Sequence, residues 1–520
     1  MTKVLPFGEW LPDGPSFGNP GSVNILNVIP RTQNSYAAFP GPAPGLSGAL
    51  PGRVCGSYGY RDAGGNVSDW AATQQRIYMQ QTGAQTWVDV SGPAAPYNTE
   101  QPPDGFWVST SFGKRIIFTN YDDPIQTMLV GTDTAFSNLS ANAPRAKYCC
   151  VIGDFLLVGN TVDSYDGTVP FRIHWPAIGD PTNWPVPGSN TAIELQSDFQ
   201  DLQETDLGAI NGLVGGHLSA ADGCAVMERG IYRIQYSGSP YSFSFHVAEG
   251  AAGSDASLSI VNRRLPDGSG IVRSVVYYLG PDGFYAFDGG SSTAIGAQKV
   301  DKYFYADLDI NYVRAVQGTY DPQRKLIFWF YHGSGNHGLF NKAIIYNWEL
   351  GRWTPIDVSA TPVEWVGGLA YSTAGYNLDQ LDPFGNLEQL PYSLDSRYWT
   401  NGNPMLTWFD NTHSQVTPTG PSLPATLETT EGQFFPDRRS RITGVRPVHN
   451  ANMAASIRVG HREKVRDSVV YEGSVPENIL GNCPQRCTGR YVRFQMTLPG
   501  GAQFTHAQGV DFSANPEGIR

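Results

Sequence analysis

The sequence predicts an all-β fold: an irregular β-propeller with an N-terminal extended arm and a C-terminal β domain. Three observations lead there. Gly and Pro together supply 97 of 520 residues, nearly 19% against about 12% in ordinary proteins, and they punctuate the whole chain. Aromatic residues reach 12% and sit beside Val, Ile and Thr in runs of five to eight, the signature of short strands between turns. Hairpin-like units recur along the middle of the chain. A chain of 520 residues also exceeds what one core usually supports, so two or three domains are expected.

Residues 1–50 hold eight prolines from Pro6 to Pro44, which exclude a regular helix or central strand. Phe7, Trp10, Leu11, Phe17 and Phe39 are too apolar for an idle linker. The segment therefore reads as an extended arm lying on this chain or on a neighbour.

Residues 51–404 read as the propeller-like domain. Strand, turn and returning strand recur at Tyr148 to Asn160, Glu228 to Gly238, Val275 to Gly289, Thr319 to Tyr331 and Lys342 to Thr354. Turn residues sit where hairpins need them: Gly153-Asp154, Arg229-Gly230, Asp282-Gly283, Asp321-Pro322 and Leu350-Gly351. Tyr285, Phe287, Trp329, Tyr331, Trp348 and Trp353 give the aromatic recurrence of propeller blades. Spacing is uneven, and a pair of irregular sandwiches is the alternative. Glu194 to Asp206, with five acidic residues and no basic one, reads as a short helix or a polar, solvated loop.

Residues near 400 to 425 read as a crossover into a last β domain, 405–520. Between Pro436 and Arg493 eleven basic residues face five acidic ones, leaving +6 there and −18 elsewhere, which marks a distinct domain. Arg458, Arg462 and Arg466 either form a basic face for DNA phosphates or an acidic neighbour, or pair across strands with Glu463, Asp467 and other carboxylates.

The net charge of −12 argues against a protein that grips nucleic acid over most of its surface. Charged residues make up 16%, below the roughly 25% of ordinary domains, so neighbours are expected to cover part of the surface. Six cysteines make no disulfide framework. Cys483 and Cys487 form a lone C-x-x-x-C with no second pair or nearby His, which gives no zinc site. Reduced thiols are expected. Met1 to Trp10 lacks the apolar core of a signal peptide, and the apolar run Leu326 to Tyr331 is too short to cross a membrane as a helix.

No catalytic, cofactor or metal site emerges. Nine scattered histidines form neither H-E-x-x-H nor H-x-H, and no phosphate-binding G-x-x-x-x-G-K-[ST] occurs. Gly14-Pro15-Ser16-Phe17-Gly18 matches the nucleophile-elbow pattern, but the surrounding prolines exclude its strand and helix. Asp166, Asp282, Asp288, Asp321 and Asp382 lie in turn-like segments. A glycosidase would need two acids facing across a cleft, whereas aspartates in turns are explained by backbone capping.

Several stretches resemble the tail tubular (nozzle) and DNA-stabilising tail accessory proteins of short-tailed bacteriophages. They are Pro6 to Asp13 with Asn27 to Pro30, the Trp-rich His174 to Trp184, Gly283 to Gly289, and Cys487 to Phe494. The resemblance implies a virion tail subunit assembled in the host cytoplasm, forming a ring, commonly of six, below the portal and adaptor. It would retain the genome and pass DNA through its bore during ejection. Adaptor and other tail proteins are the implied partners, with tail fibres a further candidate. Phe7, Trp10 and Leu11 would contact an adjacent tail protein. Six copies would carry −72, a bias that repels phosphate within the 8–10 Å or so over which charge acts at cellular salt. A head-to-tail plug protein and a receptor- or glycan-binding propeller are the alternatives.

Overall fold

A computed structural model describes residues 2–518 apart from 46, 63, 82–85, 204–205, 218, 240, 249, 267–271, 335–337 and 372–403. Among the described residues, seven sheets have four strands and two have six. All seven four-stranded sheets are antiparallel, and six are meanders, the local pairing that hairpin turns enforce.

The seven four-stranded sheets are the blades of a propeller. Their first strands are Val54–Arg61, Val108–Phe112, Arg145–Ile152, Ile210–Gly215, Val261–Pro266, Gln317–Asp321 and Val363–Tyr371. Successive first strands are neighbours, the fourth and fifth through Asn262 donating to Gly215 O at 3.3 Å, and the last meets the first, so the ring closes. Small residues permit that approach. A Cβ on Gly215 would stand 2.0 Å from Val151 O, and one on Gly318 would stand 2.6 Å from Ser259 O.

The turns form where the sequence places them. Ile152 pairs with Phe155 around Gly153, whose φ is +57°. Gly351, at φ +68°, joins Lys342–Asn347 to Arg352–Asp357. The acidic stretch departs from expectation: its helix, Asn190–Glu194, comes earlier, and Asp198–Asp201 is the outer strand of the third blade. That strand forms because Asp201 clamps the buried Arg172, at 2.7 and 2.9 Å, so its charge is neutralised.

The last blade corrects the expected boundary at 404/405. Pro404–Asp410 and Gln415–Thr417 continue it, and Ala43–Pro44 pairs with the latter as its fourth strand. Asn, Gly and Pro in this stretch resemble a linker, but Trp408 and Phe409 are buried and hold it in the blade.

The expected arm is likewise not a separate element. Thr2–Pro6 pairs with Gly509 to Ser513, Ile25–Leu26 with Thr426 and Leu427, and the hairpin Val28–Thr32/Ser35–Ala38 joins through Tyr36 to Ala507. Together with strands from 425 to 517 these segments build the two six-stranded sheets, one β-sandwich made from both chain regions flanking the propeller. The prolines are tolerated because Thr2–Pro6 and Val28–Thr32 are edge strands, where a missing N–H costs little. Phe434, Phe494 and Phe512 fill the space between the sheets, with ring centroids 4.4 and 4.9 Å apart.

Sandwich and propeller are fastened at several points. Arg352, 2% exposed, donates to Thr32 O, Gln33 O and Gly8 O at 2.7–3.0 Å and to the Tyr36 hydroxyl. Asp13 accepts from the amides of Lys302 and Tyr303 at 3.0 and 2.8 Å, capping the helix Asp301–Asp307 from the other module. Asn27 donates its amide to Pro355 O and accepts from Asp357 N.

Candidate functional site

Two surfaces of the fold offer chemistry: the propeller's centre and the face of the sandwich. The first strands of the first five blades surround a cavity of about 530 Å³. Tyr58, Ser109, Thr110, Ser111 and Asn262 give its wall hydroxyl and amide groups, and Phe106 and Leu213 give it apolar area. Several of these groups bridge blades. The Tyr58 hydroxyl donates to Ser111 Oγ at 2.8 Å, and Tyr148 donates to Ser257 Oγ at 2.8 Å. Burial pushes the Tyr148 phenol and the Cys149 thiol far up, so both stay protonated at neutral pH. Such a wall offers hydrogen bonds and apolar contact.

The ring is latched beside Val363–Tyr371. Glu364, buried on that strand, accepts from Val54 N of the first blade at 2.5 Å, and its second oxygen lies 2.7 Å from His413 Nδ1. Burial raises the Glu364 carboxyl above the usual range, and the His413 contact opposes that shift. Nothing in the sequence spacing marks this pair, because 49 residues separate its members.

The turn aspartates behave as caps. Asp288 Oδ1 accepts from Gly290 N and Ser291 N, and Asp321 Oδ1 from Gln323 N and Arg324 N. Asp166 joins Asp163 and Asp201 around Arg172, and Asp382 lies outside the described residues. The Trp-rich segment is a packed turn, in which Trp184 donates to Pro181 O and lies edge-on to His174 at 5.1 Å. Burial holds His174 down at about 4, hence neutral.

The six residues picked out as interface anchors do not converge. Phe7 and Trp10 are 0% and 1% exposed, and Trp10 packs edge-on to Tyr303 at 4.9 Å. Leu11 is half-buried. This corrects the expected outward-facing anchor: segment 2–38 folds into this chain's own sandwich, with Phe7 buried and Trp10 packed against the propeller's Tyr303. Arg462 is buried against Glu431, and its guanidinium also donates to Ser16 Oγ at 2.9 Å. Ser16, the apparent elbow serine, is therefore an acceptor for an internal arginine. Arg458 lies 4.3 Å over the Tyr471 ring and donates to Gln495. Of the three arginines, Arg466 alone is exposed, so they form no joint basic face.

Sequence reasoning missed the sandwich's apolar tip. Ile479 and Leu480 are 102% and 72% exposed. They sit on a turn stiffened by Asn478, whose Oδ1 accepts from the amides of Leu480 and Asn482 at 2.9 and 3.0 Å. Charge is also unevenly divided: segment 39–424 carries −15, and 425–520 carries +3. No described helix is long and apolar enough to cross a membrane.

No protein-family model matches this chain, and neither does any curated protein. Solved structures do. A Penicillium chrysogenum alpha-L-arabinanase complexed with arabinobiose matches at 12% identity and a TM-score of 0.34, over 57% of this chain and 94% of that one. YCF48 bound to D1 peptide matches at 10% and 0.34, over 62% and 90%. The computationally designed Ika8 protein matches at 8% and 0.35, over 73% and 99%. The seven blades follow from this chain's own strand pairings.

Proposed function

We propose that this chain is a structural subunit of a short-tailed bacteriophage tail, a nozzle or tail-tube component whose ring retains the genome and lets DNA pass during ejection. The tail assignment comes from the sequence stretches that resemble nozzle proteins. The observation that carries the structural reading is the sandwich built from both flanks of the propeller and clamped to it by the buried Arg352. A tube under load needs subunits that neither hinge nor peel. Here Thr2–Pro6 is laddered to Gly509 to Ser513, so tension on either flank shears a β-ladder.

Two surface features fit assembly. The Ile479–Leu480 tip is an apolar anchor already held in shape, the kind of group that concentrates binding energy. The acidic propeller, at −15, repels phosphate. The DNA path in this reading runs around the ring axis between subunits, because a cavity of about 530 Å³ falls within the roughly 300–1,000 Å³ of small-molecule sites. Six subunits, an adaptor and neighbouring tail proteins complete the proposed assembly in the virion tail.

Gel filtration with light scattering tests this. A mass near six chains, or a concentration-dependent rise toward it, is the expected result. A monomer at every concentration and ionic strength overturns it.

A second reading, a receptor- or glycan-binding propeller, is favoured by the hydroxyl and aromatic wall of the central cavity, Tyr58, Ser109, Ser111 and Phe106. Calorimetric titration with neutral oligosaccharides separates the two. Saturable binding that Tyr58→Ala abolishes favours the glycan reading.

A further inference from the structure

The fold brings together three metal-ligating side chains that the sequence scatters. His461, Glu472 and Cys487 place their ligand atoms within 4.8 Å of one another, with His461 Nε2 3.1 Å from Glu472 Oε1. Each comes from a different element. His461 is on Ser456–Arg462, Glu472 follows the short strand Val470–Tyr471 beside it, and Cys487 opens Cys487–Gly489. The first two belong to one six-stranded sheet and the third to the other, so the cluster spans the sandwich.

The C-x-x-x-C spacing that gave no zinc site is misleading in an instructive way. Cys487 pairs opposite Ile442, and Cys483 lies opposite Val445. Three strand residues separate those positions, about 10 Å at the usual rise, so the two cysteines do not act together. Cys487 has a different set of partners, supplied by the facing sheet. Gly489 permits the approach: a Cβ there would lie 2.8 Å from His461 Cβ.

We propose that His461, Glu472 and Cys487 bind one divalent zinc ion that staples the two sheets of the sandwich. Imidazole, carboxylate and thiolate form a borderline-soft set suited to Zn²⁺, with distances of about 2.0–2.3 Å and three protein ligands leaving a fourth position for water. Ligand atoms up to 4.8 Å apart need to close by only a fraction of that span to share one ion. On binding, the Cys487 S–H bond breaks, sulfur keeps the electron pair for the metal, and one proton is released to solvent. No electron transfer is involved. The neighbouring Arg439–Glu463 pair, 2.6 Å apart, cancels its own charge. The role is structural, a cross-link between sheets, and is independent of the tail assignment.

The test uses the full chain, stripped with chelator and dialysed against zinc chloride alone, with bound metal measured by elemental analysis. One zinc per chain is expected. Cobalt substitution should give a near-ultraviolet sulfur-to-metal charge-transfer band. Cys487→Ser should remove the band. Glu472→Gln, on an exposed edge and checked for unchanged circular dichroism, should weaken zinc binding by at least the roughly 10–100-fold that even an outer-shell partner costs. Cys483→Ser should bind as the parent does. Substoichiometric zinc in the parent, or zinc and band unchanged in both Cys487→Ser and Glu472→Gln, overturns the proposal.

Discussion

The Arg352 guanidinium lies 4.7 Å from the centre of the Tyr36 ring and donates to that ring's hydroxyl, joining the sixth blade to the sandwich. Two sequence-distant modules thus share one buried cation. Burial pushes the Tyr36 phenol far up despite the neighbouring positive charge, so it remains a neutral partner. Arg352 also donates to the backbone carbonyls of Thr32, Gln33 and Gly8.

Arg352→Ala therefore removes hydrogen bonds to three backbone carbonyls and to the Tyr36 hydroxyl, at about 0.5–1.5 kcal/mol each. The expected outcome is a fall in stability of a few kcal/mol and two thermal transitions, one per module, where the parent shows one. Arg352→Lys should rescue little, since an ammonium lacks the planar fork. Scanning calorimetry of the three proteins checks this.

Asp13 caps a helix to which it is not covalently adjacent. Val300, the residue at the N-cap position, makes no side-chain cap bond, and Asp13 supplies the missing acceptors. Asp13→Ala should cost about 1 kcal/mol, the usual worth of a cap. Hydrogen exchange should speed at the Lys302 and Tyr303 amides first.

Asp301 sits buried where Cβ atoms on Gly283 and Gly296 would collide with its carboxyl. Burial is the main cause that raises it to about 6; Phe284 N donates to it and opposes the shift, while Asp13 and Asp282 reinforce it. An acid raised above its unfolded value of about 3.9 binds its proton more tightly when folded. Its contribution is thus fully present below pH about 4 and is lost as pH rises through about 6. Asp301→Asn should flatten the stability–pH curve between those limits and leave the variant relatively more stable above them. Denaturant midpoints across that range check the sign.

Much of this architecture was readable from the chain, for physical reasons. Turn residues such as Gly153 and Gly351 adopt positive φ that few others tolerate, so they announce hairpins locally. The fate of segment 1–38 was not readable. Prolines that forbid a central strand are harmless on an edge, and pairing partners more than 400 residues away leave no local trace. Phe7 and Trp10 looked like interface anchors because aromatics inside a core and at an interface share one composition. The His461, Glu472 and Cys487 cluster was hidden because its register is set by two sheets.

Glu364 closes the ring through Val54 N and His413. Glu364→Ala should leave a buried amide unpaired, at about 1–3 kcal/mol, and speed proteolysis where the first and last blades meet. Glu364→Gln should recover most of the loss, because its carbonyl still accepts from Val54. Limited proteolysis of the three proteins discriminates.

Ile479→Asp combined with Leu480→Asp should leave the isolated chain's stability within about 0.5 kcal/mol, as for surface changes generally, yet abolish self-association. Sedimentation velocity against the parent checks both halves.

Electron microscopy of the assembled protein reads the proposed ring itself. Closed rings with an open axis are expected, with the propellers set off that axis and the sandwiches in contact between subunits. Particles that remain single, or rings whose lumen runs through the propeller's own centre, would contradict it.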